Sequence, residues 1–262
     1  MSIYVNDIPK CVIDQGVIVN GCIAEHYNCD VCGVVITPRC DIGNGGKVST
    51  IHYLPIVPLH DWIHVDCITN AIDKFKKNLS HKLIGNDISD SLLEYPVEID
   101  DFKKIVNKCN QKDTLIESYR AYLDVINNKN YSCKELIKYC KTEYADLYQG
   151  KHNRYYLINN WEDPTNYNVI ILRDIKSISF DLINKFSKGC HNKNFDENVF
   201  LLNDIYRSDS LYHYRTLAQI SSPYIEHILQ KFSYNFCRIG VENHINEDDF
   251  KEIYKLEKII KQ

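Results

Sequence analysis

No stretch of this sequence is both long and apolar enough to span a bilayer. Residues 12–19 come nearest, but Asp14, Gln15 and Gly16 interrupt them, far short of the roughly 20 apolar residues a membrane helix needs. The first ten residues, Met-Ser-Ile-Tyr-Val-Asn-Asp-Ile-Pro-Lys, lack the basic segment and apolar core of a secretory leader. The expected location is therefore cytoplasmic, with no membrane partner. Excess charge of one sign is also missing. The formal net charge is −4 and the sequence pI about 6.2, which argues against a surface that coats nucleic acid. A Walker-type phosphate loop, a Gly-x-Gly-x-x-Gly turn and a Gly-x-Ser-x-Gly elbow are absent. So are His-Glu-x-x-His and a His-x-Glu followed by Pro-Cys-x-x-Cys. The commonest sequence signals of nucleotide, hydrolase, metalloprotease and deaminase chemistry are thus not there. Methionine occurs once, and isoleucine, lysine, asparagine and tyrosine are frequent, a bias expected of an AT-rich bacterial genome.

What is abundant is cysteine: 11 residues in 262. In a reducing compartment cysteines bind metal or pack more often than they pair. Two pairs stand out, Cys29-x2-Cys32 and, after an insert of residues 33–63, His64-x2-Cys67. Three cysteines and a histidine are the ligand set of a closed tetrahedral Zn²⁺ site. Gly33 follows the first pair where a knuckle turn favours φ > 0, and Trp62, two residues before His64, is placed to shield a metal. His60, His64 and Cys67 fall at i, i+4 and i+7, one face of a helix. The expected local shape is a treble-clef-like knuckle: Cys-x2-Cys turn, hairpin, then the second pair opening a helix. Cys40 or His60 in place of His64 remains open as a ligand.

The expected fold class is α+β: a β-rich part over 1–95 with the embedded knuckle, then a mainly helical part over 96–262. Val34-Val35-Ile36-Thr37 and the stretch 48–57 read as strands around the turn Gly43-Asn44-Gly45-Gly46. Helical spacing recurs at Leu115, Ile116, Tyr119, Tyr122, Leu123 and Ile126. A helix capped by Ser132, with Glu135 three residues on, carries the stripe Leu136, Ile137, Cys140, Tyr144, Leu147 and ends at Gly150. Residues 153–179 read as a hairpin that joins the N-terminal sheet, since two strands alone are marginal. Ser222-Pro223 opens a helix with the stripe Ile225, Ile228, Leu229, Phe232, Phe236 and a stop at Gly240. A last helix is expected from Asn246.

Three further places carry candidate chemistry. Thr37-Pro38-Arg39-Cys40-Asp41-Ile42 leaves a strand. There Cys40 is a packed cysteine, a metal ligand or a thiolate activated by Arg39, and Asp41 is a turn residue or a catalytic carboxylate. His26, His52 and His60, with Glu25, Asp41, Asp61 and Asp66, are the groups a catalytic zinc would draw on. Lys74, Lys76, Lys77, His81 and Lys82 form a basic run that reads as a solvated helix face or a phosphate contact. His213-Tyr214-Arg215 and Glu226, His227 and Lys231 are read as the solvent side of the C-terminal part.

Three segments carry a resemblance. They are Val34-Val35-Ile36-Thr37-Pro38-Arg39-Cys40-Asp41-Ile42, the hairpin from Tyr155-Tyr156-Leu157 through Val169 to Asp174, and Ser222-Pro223-Tyr224-Ile225-Glu226-His227-Ile228-Leu229-Gln230 running on to Arg238-Ile239-Gly240-Val241. Together the chain resembles an uncharacterised bacterial family whose members are often encoded beside ATPases in anti-phage or mobile gene clusters. The resemblance implies a protein partner, such as a neighbouring ATPase, and transfers no catalytic residues. The expected function is a zinc-binding, non-enzymatic adaptor or sensor subunit of an antiviral defence system. The alternatives are a toxin-like nuclease or other hydrolase using Cys40 and Asp41, and a nucleic-acid-binding zinc module.

Overall fold

The computed structural model describes residues 3–4, 13–43, 48–128, 131–180 and 216–237. Its centre is a curled, half-barrel antiparallel sheet of seven strands. These are β1 (Val17–Cys22), β2 (Val31–Val35), β3 (Thr50–Pro58), β4 (Tyr155–Asn159), β5 (Tyr167–Ile171), β6 (Lys176–Ser179) and β7 (Thr216–Gln219), in the order β4-β5-β3-β2-β1-β7. The long strand β3 serves two neighbours on one edge. Its residues 50–53 pair with β6 and residues 56–58 with β5.

Alternation in β3 assigns its side chains to two cores. Ile51, Tyr53 and Val57 face Trp62, Cys67 and Leu147, while Leu54 and Ile56 face Ile225 and Ile228. The first layer of helices comprises α1 (Arg39–Gly43), α2 (Leu59–Trp62), a π-helical turn (Ile63–Cys67), α3 (Ile68–Ile84), α4 (Ile99–Ile105), α5 (Lys112–Asn128) and α6 (Lys134–Tyr148). The second face is covered by α7 (Tyr224–Cys237). A third core lies off the sheet, where Phe75, Leu79 and Leu83 of α3 meet Phe102, Val106, Leu115, Tyr119 and Tyr122. The rings of Phe102 and Tyr119 stack there at 3.9 Å.

The fold is mixed α/β, and the insert between the two candidate ligand pairs is the hairpin β2–β3, as its strand signals require. The 153–179 segment joins the same sheet, but as three strands. After β5 the chain crosses to pair β6 with the far half of β3. Strands from both sides of residue 95 thus belong to one sheet. Gly33 is no left-handed knuckle residue. It lies inside β2, opposite Pro55, and a Cβ there would come within 2.5 Å of the Tyr53 ring and 2.7 Å of Cys22 Sγ. The N-cap of α6 is Cys133 rather than Ser132, its sulfur accepting from Leu136 N at 3.4 Å. Gly150 ends α6 as expected, at φ 65°. Gly150 N donates to Leu147 O and Lys151 N to Asp146 O, the paired bonds of a Schellman end. Helix α7 begins at Tyr224, with Ser221 O accepting from Tyr224 N and Ile225 N. His213, Arg215, the stop at Gly240 and the helix from Asn246 lie outside the described residues.

Candidate functional site

The fold brings the two candidate ligand segments side by side. The loop entering β2 meets the α2–π turn leaving β3, and the Tyr27 hydroxyl donates to Asp66 Oδ2 at 2.6 Å. Burial and that bond both push the Tyr27 pKa upward. Cys29 is half-buried with Asp61 beside it. Burial first, then the Asp61 charge, pushes its thiol up to about 11. Cys32 lies in β2, where burial and Asp30 push it up to about 12. His60 and His64 are exposed on one flank, their rings 4.5 Å apart.

Cys67 lies on the buried side of the same turn. Its backbone belongs to a π turn closed by the bond from Ile68 N to Ile63 O. Such wide turns rotate residues three apart off a common face. His64 therefore stays outside, while Cys67 is 1% exposed and directs its thiol at Cys140 O, 3.7 Å away. Burial, then Cys140 and Glu143, push this thiol up to about 12. Trp62 is fully buried, edge-on to Tyr155 at 5.4 Å, so it packs the sheet instead of capping a metal. Among the described residues, no group of three or more His, Cys, Asp or Glu stands in a metal-holding arrangement. No zinc knuckle is shown at Cys29, Cys32, His64 and Cys67. Cys40, the alternative ligand, lies beyond the far end of β2, on α1.

At that far end, Cys40 is exposed, with its sulfur 3.5 Å from Asp41 Oδ1. Arg39 Nε holds Asp14 Oδ2 at 3.2 Å. Thr37 is buried, and its hydroxyl accepts from His52 N at 2.7 Å. His52 Nδ1 lies 2.9 Å from Ser177 Oγ across the β3–β6 pair. The other carboxylates weighed for catalysis are engaged: Glu25 pairs with Lys176 at 2.7 Å, Asp66 takes the Tyr27 hydroxyl, and Asp61 is hydrogen-bonded with Cys29.

Sequence reasoning missed a buried ionic group. Glu143, 1% exposed, is held by Lys74 on one oxygen and by His152 Nε2 at 3.0 Å on the other. Burial alone would raise this carboxyl, but the two hydrogen bonds outweigh it and hold it below its ordinary range. His152 Nδ1 accepts from Arg154 N at 3.2 Å, so both ring nitrogens are occupied and the ring is the Nε2–H tautomer. The available signal was spacing, since Glu143 falls at i+3 from Cys140 and i−4 from Leu147. The basic run on α3 is correspondingly thinned: Lys74 serves Glu143, and Lys82 reaches Ser118 Oγ at 3.4 Å.

Two open depressions, of about 610 and 600 Å³, lie away from the predicted residues. The first is walled by the end of α3 and the residues after α4, the second by the outer side of α6. Among the described residues, no helix is long and apolar enough to cross a membrane. No family model matches the chain, and neither curated proteins nor solved structures give a match.

Proposed function

We propose that this chain is a non-enzymatic adaptor or sensor subunit that acts by holding a protein partner within a bacterial multi-protein system, with antiviral defence as its setting. One observation carries the reading: the chemistry-bearing groups of the sheet's helical face are closed on one another. Glu143 is saturated by Lys74 and His152, and His152 uses both nitrogens. Asp66 takes Tyr27, and burial pushes the thiols of Cys29, Cys32 and Cys67 upward.

Zinc on Cys29, Cys32, His64 and Cys67 rests on spacing alone and requires Cys67 to leave Cys140. Its test is zinc per chain in the purified protein, with His64→Ala and Cys67→Ala beside it. One zinc that either substitution removes supports the four-ligand site, and no zinc ends it.

A hydrolytic effector is the second reading, favoured by the exposed His52–Ser177 pair beside the Cys40–Asp41 turn. Co-expression with the products of neighbouring genes decides between the two. A stable complex, with cellular activity kept in His52→Ala and Asp41→Ala, supports the adaptor. A chain that runs alone, and folded variants that lose activity, overturn it.

A further inference from the structure

The stripe on α6 is rotated from the one its sequence favours. The apolar spacing points to Leu136, Ile137, Cys140, Tyr144 and Leu147 as the inward set. The helix instead buries Leu136, Glu143 and Leu147. It leaves Ile137 39%, Tyr144 40% and Tyr148 66% exposed. A carboxylate has gone inside and three large apolar side chains have gone outside. That is the reverse of what solvent favours for a helix finished by its own fold.

The outward arc has a definite charge. At 3.6 residues per turn, Tyr144, Ile137, Tyr148, Lys141, Lys134, Ala145 and Lys138 fall within about 120°. Tyrosines and isoleucine line one side, three lysines the other. Glu135 and Asp146 lie outside this arc, and Glu143 points inward to Lys74 and His152. The arc therefore holds three positive charges on a chain whose net charge is −4. Lys134, Ile137, Lys138, Lys141 and Ala145 also wall the open groove of about 600 Å³. The ridge Ile137–Tyr144–Tyr148, at i, i+7 and i+11, runs for about 16 Å along the helix axis.

We infer that the outer face of α6 is a docking surface for an acidic amphipathic helix of a partner protein. This rests on the adaptor reading and names the chemistry of its partner. An apolar ridge flanked on one side by lysines matches a helix whose apolar stripe is flanked by carboxylates. A nucleic acid would satisfy the lysines but leave Ile137 and the inner ring faces against phosphate and sugar.

The test uses the full chain and fluorescence anisotropy with three probes: a designed helical peptide of leucine stripe and glutamate flanks, the same peptide with lysine flanks, and a single-stranded DNA oligonucleotide. The wild type binds the acidic peptide. Combined Lys134→Glu, Lys138→Glu and Lys141→Glu weakens that by about tenfold or more, and the preference shifts to the lysine-flanked peptide. Tyr148→Ser, at the most exposed position, weakens binding to both peptides with the thermal midpoint unchanged. No binding of the acidic peptide at about 1 mM, or binding indifferent to the three reversals, overturns the inference. So does tighter binding of the oligonucleotide, or a self-association lost in the same variants, which assigns the face to a second copy. A complex with a neighbouring gene product that survives the reversals overturns this inference while leaving the adaptor reading standing.

Discussion

The two faces of the sheet are covered by different means. The face under α7 is closed by aliphatic contacts, with Ile18, Val34, Leu54, Ile56 and Ile170 against Ile225 and Ile228. The face under α2, the π turn and α6 mixes Trp62 and Leu147 with polar inlays at Tyr27–Asp66 and Lys74–Glu143–His152. The centre of the first is held by packed volume, with polar bonds such as Tyr156 Oη–His227 Nδ1 at its rim, whereas in the second buried polar pairs also fix which side chain meets which. Buried polar partners tolerate no slip, because a group left unpaired costs about 1–3 kcal/mol.

The comparison is broken most strongly at Trp62. Trp62→Ala should cost about 3–5 kcal/mol in urea unfolding. On the face under α7, Leu54→Ala should cost about 2–5 kcal/mol, with no pH dependence of its own. Gly33→Ala, between the Tyr53 ring and Cys22, should cost about 1–3 kcal/mol by overpacking, read as a lower denaturant midpoint.

Glu143→Gln sharpens the contrast, because it keeps the shape and removes the charge. The expected loss is about 1–3 kcal/mol at pH 7, discounted because Lys74 is nearly half exposed. The Glu143 carboxyl is held below its unfolded value. Its contribution is therefore fully present above about pH 4.3 and is lost as pH falls through the folded value. Wild type and Glu143→Gln should converge in acid, while the Leu54→Ala gap stays constant. At the exposed edge, His60→Ala should change stability by no more than about 0.5 kcal/mol.

Much of the sheet was legible because strands announce themselves locally. Val34-Val35 and Val169-Ile170-Ile171 are β-branched runs with turn residues near their ends, and they lie in β2 and β5. The meeting of the 23–30 loop with the 59–67 turn was legible too, from the hairpin between them. What spacing could not carry was helix phase. Counting i, i+4, i+7 from His60 assumes a regular helix, and the π turn at Ile63–Cys67 removes Cys67 from the set. On α6 the same count favoured Tyr144 over Glu143, because the partners that admit a carboxylate inside, Lys74 and His152, lie on other elements. Gly33 was read through its own φ, yet its reason for being glycine sits on β3 and β1.

Strand β7 has a consequence for the order in which the molecule assembles. Val19 meets Gly33 across a short connection, whereas Val17 meets Gln219 across about three quarters of the chain. Closing the longer loop costs about 2 kcal/mol more in chain entropy, and non-local pairings form late. β7 and α7 should therefore be the last pieces to dock and the first to open. In native-state hydrogen exchange, amides of residues 216–219 should then exchange faster than those of β2 and β3, as a separate cooperative unit.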